Sequence, residues 1–276
     1  MFLFNIYVLL MKQKLFFCII IFFQFMGCTQ KINYGNNKEA GKYALINGAK
    51  IYYETYGEGS PLLFIHGNSG SIVAFENQLP FFSKYFHVIA VDSRLQGKSG
   101  GNADTLSYEM MANDCCALLD YLHLDSAYVI GWSDGGVNGL LMAMQCPAKV
   151  KALAVSGANV LPDTAAFSAA DVVGMQNYSA NNPGATTVEK TLNRLMQYQP
   201  VIPYENLAKI KCPVLVMAGD EDVIKESHTK KIAQSIPGAK LCIFPNSNHG
   251  VCQQHPALFN KTVYDFFIAA GKAGRR

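Results

Sequence analysis

The stretch Tyr128-Val129-Ile130-Gly131-Trp132-Ser133-Asp134-Gly135-Gly136 decides the fold. A short apolar run ends at Gly131, and an apolar pattern with helical spacing begins at Val137. The serine of this Gly-x-Ser-x-Gly motif therefore stands where a strand turns into a helix. Such a turn strains the serine backbone and leaves no room for side chains on its flanks. It also holds the hydroxyl at a helix N-terminus, where backbone N–H groups stabilise developing negative charge.

Strand and helix patterns alternate along most of the chain. A pair of alternating runs around Asn47-Gly48 predicts a β-hairpin. A continuous apolar run at 61–65 is typical of a strand buried on both faces, and further strand patterns occur at 87–92, 151–155, 214–218 and 240–244. Helical patterns lie between them, including about 73–82 and a long one over 105–124 with Thr105 as its cap. This order predicts a largely parallel sheet with helices on both faces.

The alternation lapses over residues 160–204, which contain no clear strand pattern. Two helical patterns occur there, around Phe167–Met175 and around Val188–Tyr198, with a break at Asn181-Asn182-Pro183-Gly184. We interpret the segment as a small helical cap over the edge of the sheet.

Composition excludes one class of function. The chain has 276 residues, 50% of them hydrophobic, which is ample for a large core. Its 23 basic and 20 acidic residues leave a net charge of +3, and no basic run is interleaved with aromatic residues. Nucleic acid is therefore not an expected partner.

The first 27 residues have the pattern of a bacterial signal peptide. A basic start at Met11-Lys12-Gln13-Lys14 precedes an almost wholly apolar run over 15–26, and residues 1–10 lie upstream of this second candidate start. Phe25-Met26-Gly27-Cys28 resembles a lipobox, in which Cys28 becomes a lipidated N-terminus. We expect a membrane-anchored, exported lipoprotein with a polar tether over 28–41 and a domain over 42–276. An uncleaved signal anchor and a plain secretion signal are the alternatives.

The eight cysteines form no Cys-x-x-Cys pair, so a zinc or thioredoxin-type site is not expected. Most of them lie in apolar surroundings and are interpreted as small core residues. Export would allow some of them to oxidise, in a pairing that the sequence leaves open.

Polar residues follow the predicted strands, and the carboxyl ends of parallel strands share one edge of a sheet. His66, Asp92, Ser133 and His249 are therefore expected along that edge, with an acidic residue from Asp220-Glu221-Asp222. A serine needs a base to remove its proton and a carboxylate to orient that base. The order serine, acid, histidine predicts His249 as the base and Asp222 as the acid, with Asp220 as an alternative turn residue. His66 is interpreted as a brace for its own loop.

Five motifs in this order resemble the α/β-hydrolase family over about residues 44–270: His66-Gly67-Asn68-Ser69-Gly70, residues 92–99, residues 131–136, Gly219-Asp220-Glu221-Asp222 and Asn248-His249-Gly250. The resemblance implies an α/β-hydrolase fold with a small helical cap, and Asp222 as the third residue after its glycine. It also implies an oxyanion hole formed by the backbone N–H groups of Asn68 and Asp134. Leu95 departs from the family, which usually has glycine there.

The Gly-Trp-Ser-Asp-Gly-Gly elbow is similar to the valacyclovir hydrolase-like branch, whose members cleave small esters, some of them amino-acid esters. Asp134 could therefore bind a substrate ammonium group, or it could merely cap its helix. Trp132 is predicted to pack beneath that helix and is also counted among the substrate-binding candidates. The further candidates come from the predicted cap, where ordinary packing is the alternative role: Phe167, Met175, Tyr178, Leu195, Met196 and Tyr198.

The expected activity is hydrolysis of small carboxylic esters through an acyl-enzyme, without metal or organic cofactor. A carbon–carbon bond hydrolase and a cofactor-free perhydrolase use the same residues and stay open as alternatives. So does a non-catalytic binding protein on a hydrolase fold.

Overall fold

The computed structural model describes residues 32–273, so the predicted signal peptide and Cys28 lie outside the described residues. One compact unit begins at Tyr34. Within residues 32–273, no helix combines the length and the apolar character that crossing a bilayer requires.

The centre of the unit is an eight-stranded sheet with the strand order β1-β2-β4-β3-β5-β6-β7-β8. The first two strands form the predicted hairpin, and β2 pairs antiparallel with β4. Every other neighbouring pair is parallel, as the repeated strand–helix order predicts. The strands are β1 Gly41–Ile46, β2 Ala49–Tyr56, β3 Ser60–Ile65, β4 Phe86–Val91, β5 Ala127–Trp132, β6 Val150–Ser156, β7 Val214–Gly219 and β8 Lys240–Phe244.

Helices cover both faces of this sheet. They are α1 Leu79–Phe82, α2 Tyr108–Tyr121, α3 Asp134–Gln145, α4 Ala169–Gln176, α5 Tyr178–Asn181, α6 Thr187–Tyr198, α7 Glu226–Ser235, α8 Val251–Gln254 and α9 Pro256–Ala273. Buried side chains of α2, α3 and α7 share one core with one face of the sheet. Those of α1, α8 and α9 share a second core with the other face. The largely parallel sheet with helices on both faces, predicted from the sequence, is thus confirmed.

The N-terminal boundary differs from the prediction. Residues 28–41 were expected to form a tether, but the chain is held to the sheet from Tyr34 onward. The backbone N–H groups of Gly35 and Asn37 donate to the buried carboxylate of Glu54, at 2.8 and 3.0 Å. Tyr34 also packs edge-on against Tyr56, with ring centroids 5.1 Å apart. A buried carboxylate needs donors, and part of this polar segment supplies them.

Two helix boundaries also differ from the sequence pattern. The helix predicted over 73–82 is divided into a 3-10 turn, Ile72–Phe75, and α1. Pro80 lies at the start of α1. A proline in a helix interior has no N–H to donate and its ring clashes with the carbonyl four residues earlier, so a single longer helix is disfavoured. The helix predicted from Thr105 begins at Tyr108 instead, where the hydroxyl of Ser107 accepts the N–H of Met110 at 3.1 Å.

Residues 160–204, predicted as a cap, contain α4, α5 and α6 and no strand within this fully described stretch. The two ends of the segment meet, because the Ile202 N–H donates to the Val160 carbonyl at 2.9 Å. The buried His228 fixes the first end by accepting the Val160 N–H at 3.1 Å.

Within residues 32–273, one pair of cysteines is joined. A disulfide links Cys116 in α2 to Cys146, which follows α3, and Cys115 and Cys252 are buried free thiols. The bond ties the helix that follows Ser133 to its neighbour on the same face of the sheet.

Candidate active site

The turn between β5 and α3 places Ser133 in a strained conformation, with φ 56° and ψ −121°. The flanking glycines are required by close contacts with backbone. A Cβ on Gly135 would lie 1.9 Å from the carbonyl oxygen of Ile65, and one on Gly131 would lie 2.1 Å from that of Gly135. Backbone strain maintained by such packing is typical of functional sites. The Gly-x-Ser-x-Gly pattern therefore has a steric cause in this chain.

Three of the predicted residues form a continuous chain of hydrogen bonds. The Nε2 atom of His249 lies 2.9 Å from the Ser133 hydroxyl, and its Nδ1 atom lies 2.7 Å from Oδ1 of Asp222. The Asp222 side chain is 1% exposed and that of His249 is 25% exposed. An Nδ1–H held by the carboxylate leaves Nε2 free to accept the serine proton. Solvent and a substrate can reach the imidazole, while the carboxylate stays dry.

Asp222 and Asp220, which lie in the same loop after β7, have different hydrogen-bond partners. Asp222 also accepts the N–H of Ile224 at 2.9 Å, so it is fixed toward His249. Asp220 instead accepts the N–H groups of Asn246 and Ser247, at 3.1 and 3.0 Å, and these bonds lower the pKa of its exposed carboxyl. Asp220 therefore joins the acid loop to the histidine loop without contacting the imidazole.

Asn68 and Asp134, predicted to bind the oxyanion through their backbones, are joined through their side chains. The Asn68 amide donates to Oδ2 of Asp134 at 2.8 Å. The Tyr108 hydroxyl donates to Oδ1 of Asp134 at 2.7 Å. Along residues 32–273, no protein acceptor is bonded to the backbone N–H of either Asn68 or Asp134. Both N–H groups therefore remain able to donate to a ligand.

His66 and Asp92 stabilise the loops around the site. His66 accepts the Ser93 N–H at 3.0 Å through Nε2, so its Nδ1 donates to the Gly67 carbonyl at 2.7 Å. Burial lowers the pKa of His66 to about 4, which keeps the ring neutral. Asp92 accepts the N–H groups of Ile72 and Lys98, at 2.8 and 2.7 Å.

Trp132 does not lie beneath α3 as predicted. Its ring packs with the core on the other face of the sheet, together with Ile130. Alternate residues of a strand point to opposite faces, so Trp132 and Ile130 share the face that α3 does not cover. The indole N–H donates to the carbonyl oxygen of His249 at 2.8 Å, so Trp132 supports the loop that carries the histidine.

The predicted cap contacts lie on α4, α5 and α6, where Met175, Tyr178 and Met196 are each partly buried. The Met175 carbonyl accepts the Asn193 amide at 3.0 Å, which joins α4 to α6. Roles of these side chains in substrate binding stay a prediction. The cap also contacts the site itself, since the Asn68 side-chain amide donates to the Leu192 carbonyl at 3.4 Å.

Leu95 keeps the loop path that glycine would favour. Its φ is 63°, in the left-handed region, and its N–H donates to the Gly100 carbonyl at 3.2 Å. The departure from the family pattern therefore places a residue with a side chain in a conformation that favours glycine.

Comparison with known proteins assigns the family. The sequence model described as "alpha/beta hydrolase fold" matches residues 60–199, just over half of the 276 residues. The chain belongs to the α/β-hydrolase family. Its Gly-x-Ser-x-Gly turn between a strand and a helix is the turn that carries the serine in this family. The resemblance inferred from the sequence motifs is thus confirmed.

Curated relatives of the chain include proteins named as hydrolases and others named as non-heme chloroperoxidases. It is 26% identical over 257 residues to the human serine hydrolase BPHL, covering 84% of this chain and 88% of that protein. It is 27% identical to the bifunctional esterase/perhydrolase DCH of Acinetobacter calcoaceticus, covering 80% of this chain and 96% of that protein. Among solved structures, the esterase EaEST of Exiguobacterium antarcticum superposes with a TM-score of 0.73 at 21% identity, covering 82% and 98% of the two chains.

Proposed function

We propose that this hydrolase cleaves small carboxylic esters through a covalent acyl-enzyme on Ser133. The observation that carries the proposal is the unbroken hydrogen-bond chain from the Ser133 hydroxyl through His249 to the dry carboxylate of Asp222. The hydrogen bonds begin at a turn in which Gly131 and Gly135 cannot be replaced by residues with a side chain.

In the proposed reaction His249 Nε2 removes the Ser133 proton as Oγ attacks the ester carbonyl. The resulting oxyanion accepts the N–H groups of Asn68 and Asp134, and the start of α3 adds its positive dipole. The imidazolium then gives its proton to the departing alkoxide, which leaves as an alcohol. A water molecule then gives a proton to the same Nε2 and attacks the carbonyl carbon of the acyl-enzyme. The bond from that carbon to Ser133 Oγ breaks, Oγ takes the proton back from the imidazolium, and the carboxylic acid is released. Asp222 orients the ring and stabilises its positive charge throughout.

Neutral esters are the proposed substrates. An amino-acid ester would require a carboxylate for its ammonium group, and both oxygens of Asp134 are already bonded to Asn68 and Tyr108. The side chain is 3% exposed, which leaves little surface for a substrate. Perhydrolysis is the second candidate, because of the similarity to a protein named as an esterase/perhydrolase.

The test uses a fluorophosphonate probe and a panel of p-nitrophenyl and amino-acid esters, with and without hydrogen peroxide. Wild type should be labelled, and Ser133→Ala should lose labelling and about 10⁵–10⁶ in kcat at an unchanged Tm. An unlabelled wild type would favour a non-catalytic binding protein. Peracid formation faster than ester hydrolysis would favour the perhydrolase, and turnover confined to a carbon–carbon substrate would favour that class instead.

We also propose that the chain is exported and anchored through a lipid on Cys28. The disulfide between Cys116 and Cys146 supports an oxidising compartment. The mass of the membrane-extracted protein tests the proposal. A mature chain that begins at an acylated Cys28 is expected, with loss of membrane association in Cys28→Ser. A soluble wild-type protein would contradict it.

A further inference from the structure

A ring of hydrogen bonds joins the cap helix α6 to the nucleophile turn and back. Gln199, just after α6, accepts the Tyr108 N–H at 3.2 Å. The Tyr108 hydroxyl donates to Asp134 at 2.7 Å, and Asp134 accepts the Asn68 amide at 2.8 Å. The same Asn68 nitrogen lies 3.4 Å from the Leu192 carbonyl of α6. Asp134 is therefore the residue at which the two halves of the ring meet.

The carboxylate at this position is buried and bonded on both oxygens. Asp134 is 3% exposed and Tyr108 is 1% exposed. Burial raises the pKa of the Asp134 carboxyl, while the bonds from Tyr108 and Asn68 lower it. Burying a carboxylate without hydrogen-bond donors costs much free energy. Hydrogen bonds to a charged carboxylate are also strong, so those of Asp134 hold the groups that donate to it in place.

The groups held by Asp134 are those that would bind the oxyanion. Asn68 follows the turn at Gly67, and a Cβ on Gly67 would lie 3.0 Å from the Ser133 Cβ. The loop thus runs directly past the nucleophile. The bond from the Asn68 amide to the Asp134 carboxylate ties this loop to the nucleophile turn a second time.

We propose that Asp134 is a positioning residue that acts through Asn68: it fixes the oxyanion-binding loop against the nucleophile turn and ties both to the cap helix. The inference rests on the proposed ester hydrolysis at Ser133. It replaces the hypothesis that Asp134 binds a substrate ammonium group.

Replacement by asparagine separates the two roles of Asp134. In Asp134→Asn, the new carbonyl can accept from Asn68 and the new amide can donate to the Tyr108 oxygen, because a phenol hydroxyl also accepts. The ring survives while the negative charge is lost. In Asp134→Ala both bonds are lost, and a donor to the oxyanion is displaced.

The measurement is kcat and KM on a matched pair, an α-amino ester and its des-amino analogue. We expect Asp134→Asn to change kcat by the same factor on both esters, with a loss about tenfold smaller than that of Asp134→Ala, because its amide can keep both hydrogen bonds. Asp134→Ala should lose about 100-fold in kcat on both, with little change in KM, because a misplaced oxyanion donor acts on the transition state. Asn68→Ala should show a similar loss, and the double variant should fall no further, as expected for one shared interaction.

Amide hydrogen exchange gives a readout that does not depend on activity. Residues 66–71 should exchange faster in Asp134→Ala than in wild type, and Asp134→Asn should restore their protection. The proposal is overturned if Asp134→Ala keeps wild-type kcat, if its exchange in that loop is unchanged, or if Asp134→Asn loses activity on the α-amino ester alone. Failure of the proposed function would give a different result. The wild type would be inactive and unlabelled by the fluorophosphonate probe, while Asp134→Ala would still speed amide exchange in residues 66–71.

Discussion

Gly157 offers the sharpest test of the proposed triad. It follows β6 with φ +63°, and a Cβ there would lie 2.7 Å from Cε1 of His249 and 2.9 Å from its Nδ1. The same Cβ would lie 3.3 Å from Oδ2 of Asp222. A single methyl group at Gly157 would thus meet both partners of the imidazole–carboxylate bond, while the serine turn stays untouched.

The magnitude follows from the distance. A gap of 2.7 Å is roughly 0.8 Å short of the ~3.5 Å at which two carbon atoms attract. The imidazole is the movable partner, since its side chain is 25% exposed and that of Asp222 is 1% exposed. A displacement near 1 Å costs on the order of 100-fold in rate. The left-handed backbone adds about 1–2 kcal/mol of destabilisation for a residue with a Cβ.

Gly238 is the matched control for this change. Its φ is +72°, and a Cβ there meets nothing within 4 Å. Gly238→Ala should therefore lower the free energy of unfolding, measured in urea, without any loss of kcat. Gly157→Ala should show a similar loss of stability together with a fall of about 100-fold in kcat on a p-nitrophenyl ester. Equal kcat in the two variants would refute the assignment of His249 and Asp222.

Two further predictions concern stability. Burial lowers the pKa of His66 and of His228 to about 4, so between about pH 6.5 and 4 the unfolded chain binds two protons that the folded chain does not. The free energy of unfolding should fall with falling pH by up to ~2.7 kcal/mol per pH unit from these residues, and His228→Gln should halve that slope in urea titrations at pH 6 and 5. A slope that His228→Gln leaves unchanged would be evidence against this account. Reduction of the bond between Cys116 and Cys146, which are 30 residues apart, should cost about 3–4 kcal/mol, with Cys115→Ser as the control that keeps the bond; equal stability with and without reductant would contradict a formed disulfide.

Much of the fold could be predicted because its signals are local. Buried parallel strands show as continuous apolar runs, and the Asn47-Gly48 turn has φ values of 46° and 76°, the left-handed pair that a two-residue hairpin needs. The positions of Ser133 and His249 follow from strand ends meeting at one edge of a parallel sheet. The choice of Asp222 over Asp220 was less local, since both follow the same strand and only their partners distinguish them.

Other features depended on contacts distant in sequence. The docking of residues 34–37 onto the sheet depends on contacts with Tyr56 and Glu54. The side of the sheet to which Trp132 points depends on which side of β5 is covered by α3. Tyr108 carried no signal of a role at the site, because its hydroxyl reaches Asp134 only after α2 packs beside α3.

By itself the sequence determined the α/β architecture, the strained serine and the hydrolase family, because strand periods, glycine positions and motif order are properties of neighbouring residues. Tertiary structure alone decided what surrounds Asp134. In the sequence its carboxylate is a charge beside a nucleophile, open to a substrate ammonium group. In the folded chain two donors, 26 and 66 residues away, occupy its oxygens and bury it. Such long-range satisfaction of a buried charge has no local pattern, since it arises only when separate elements pack together.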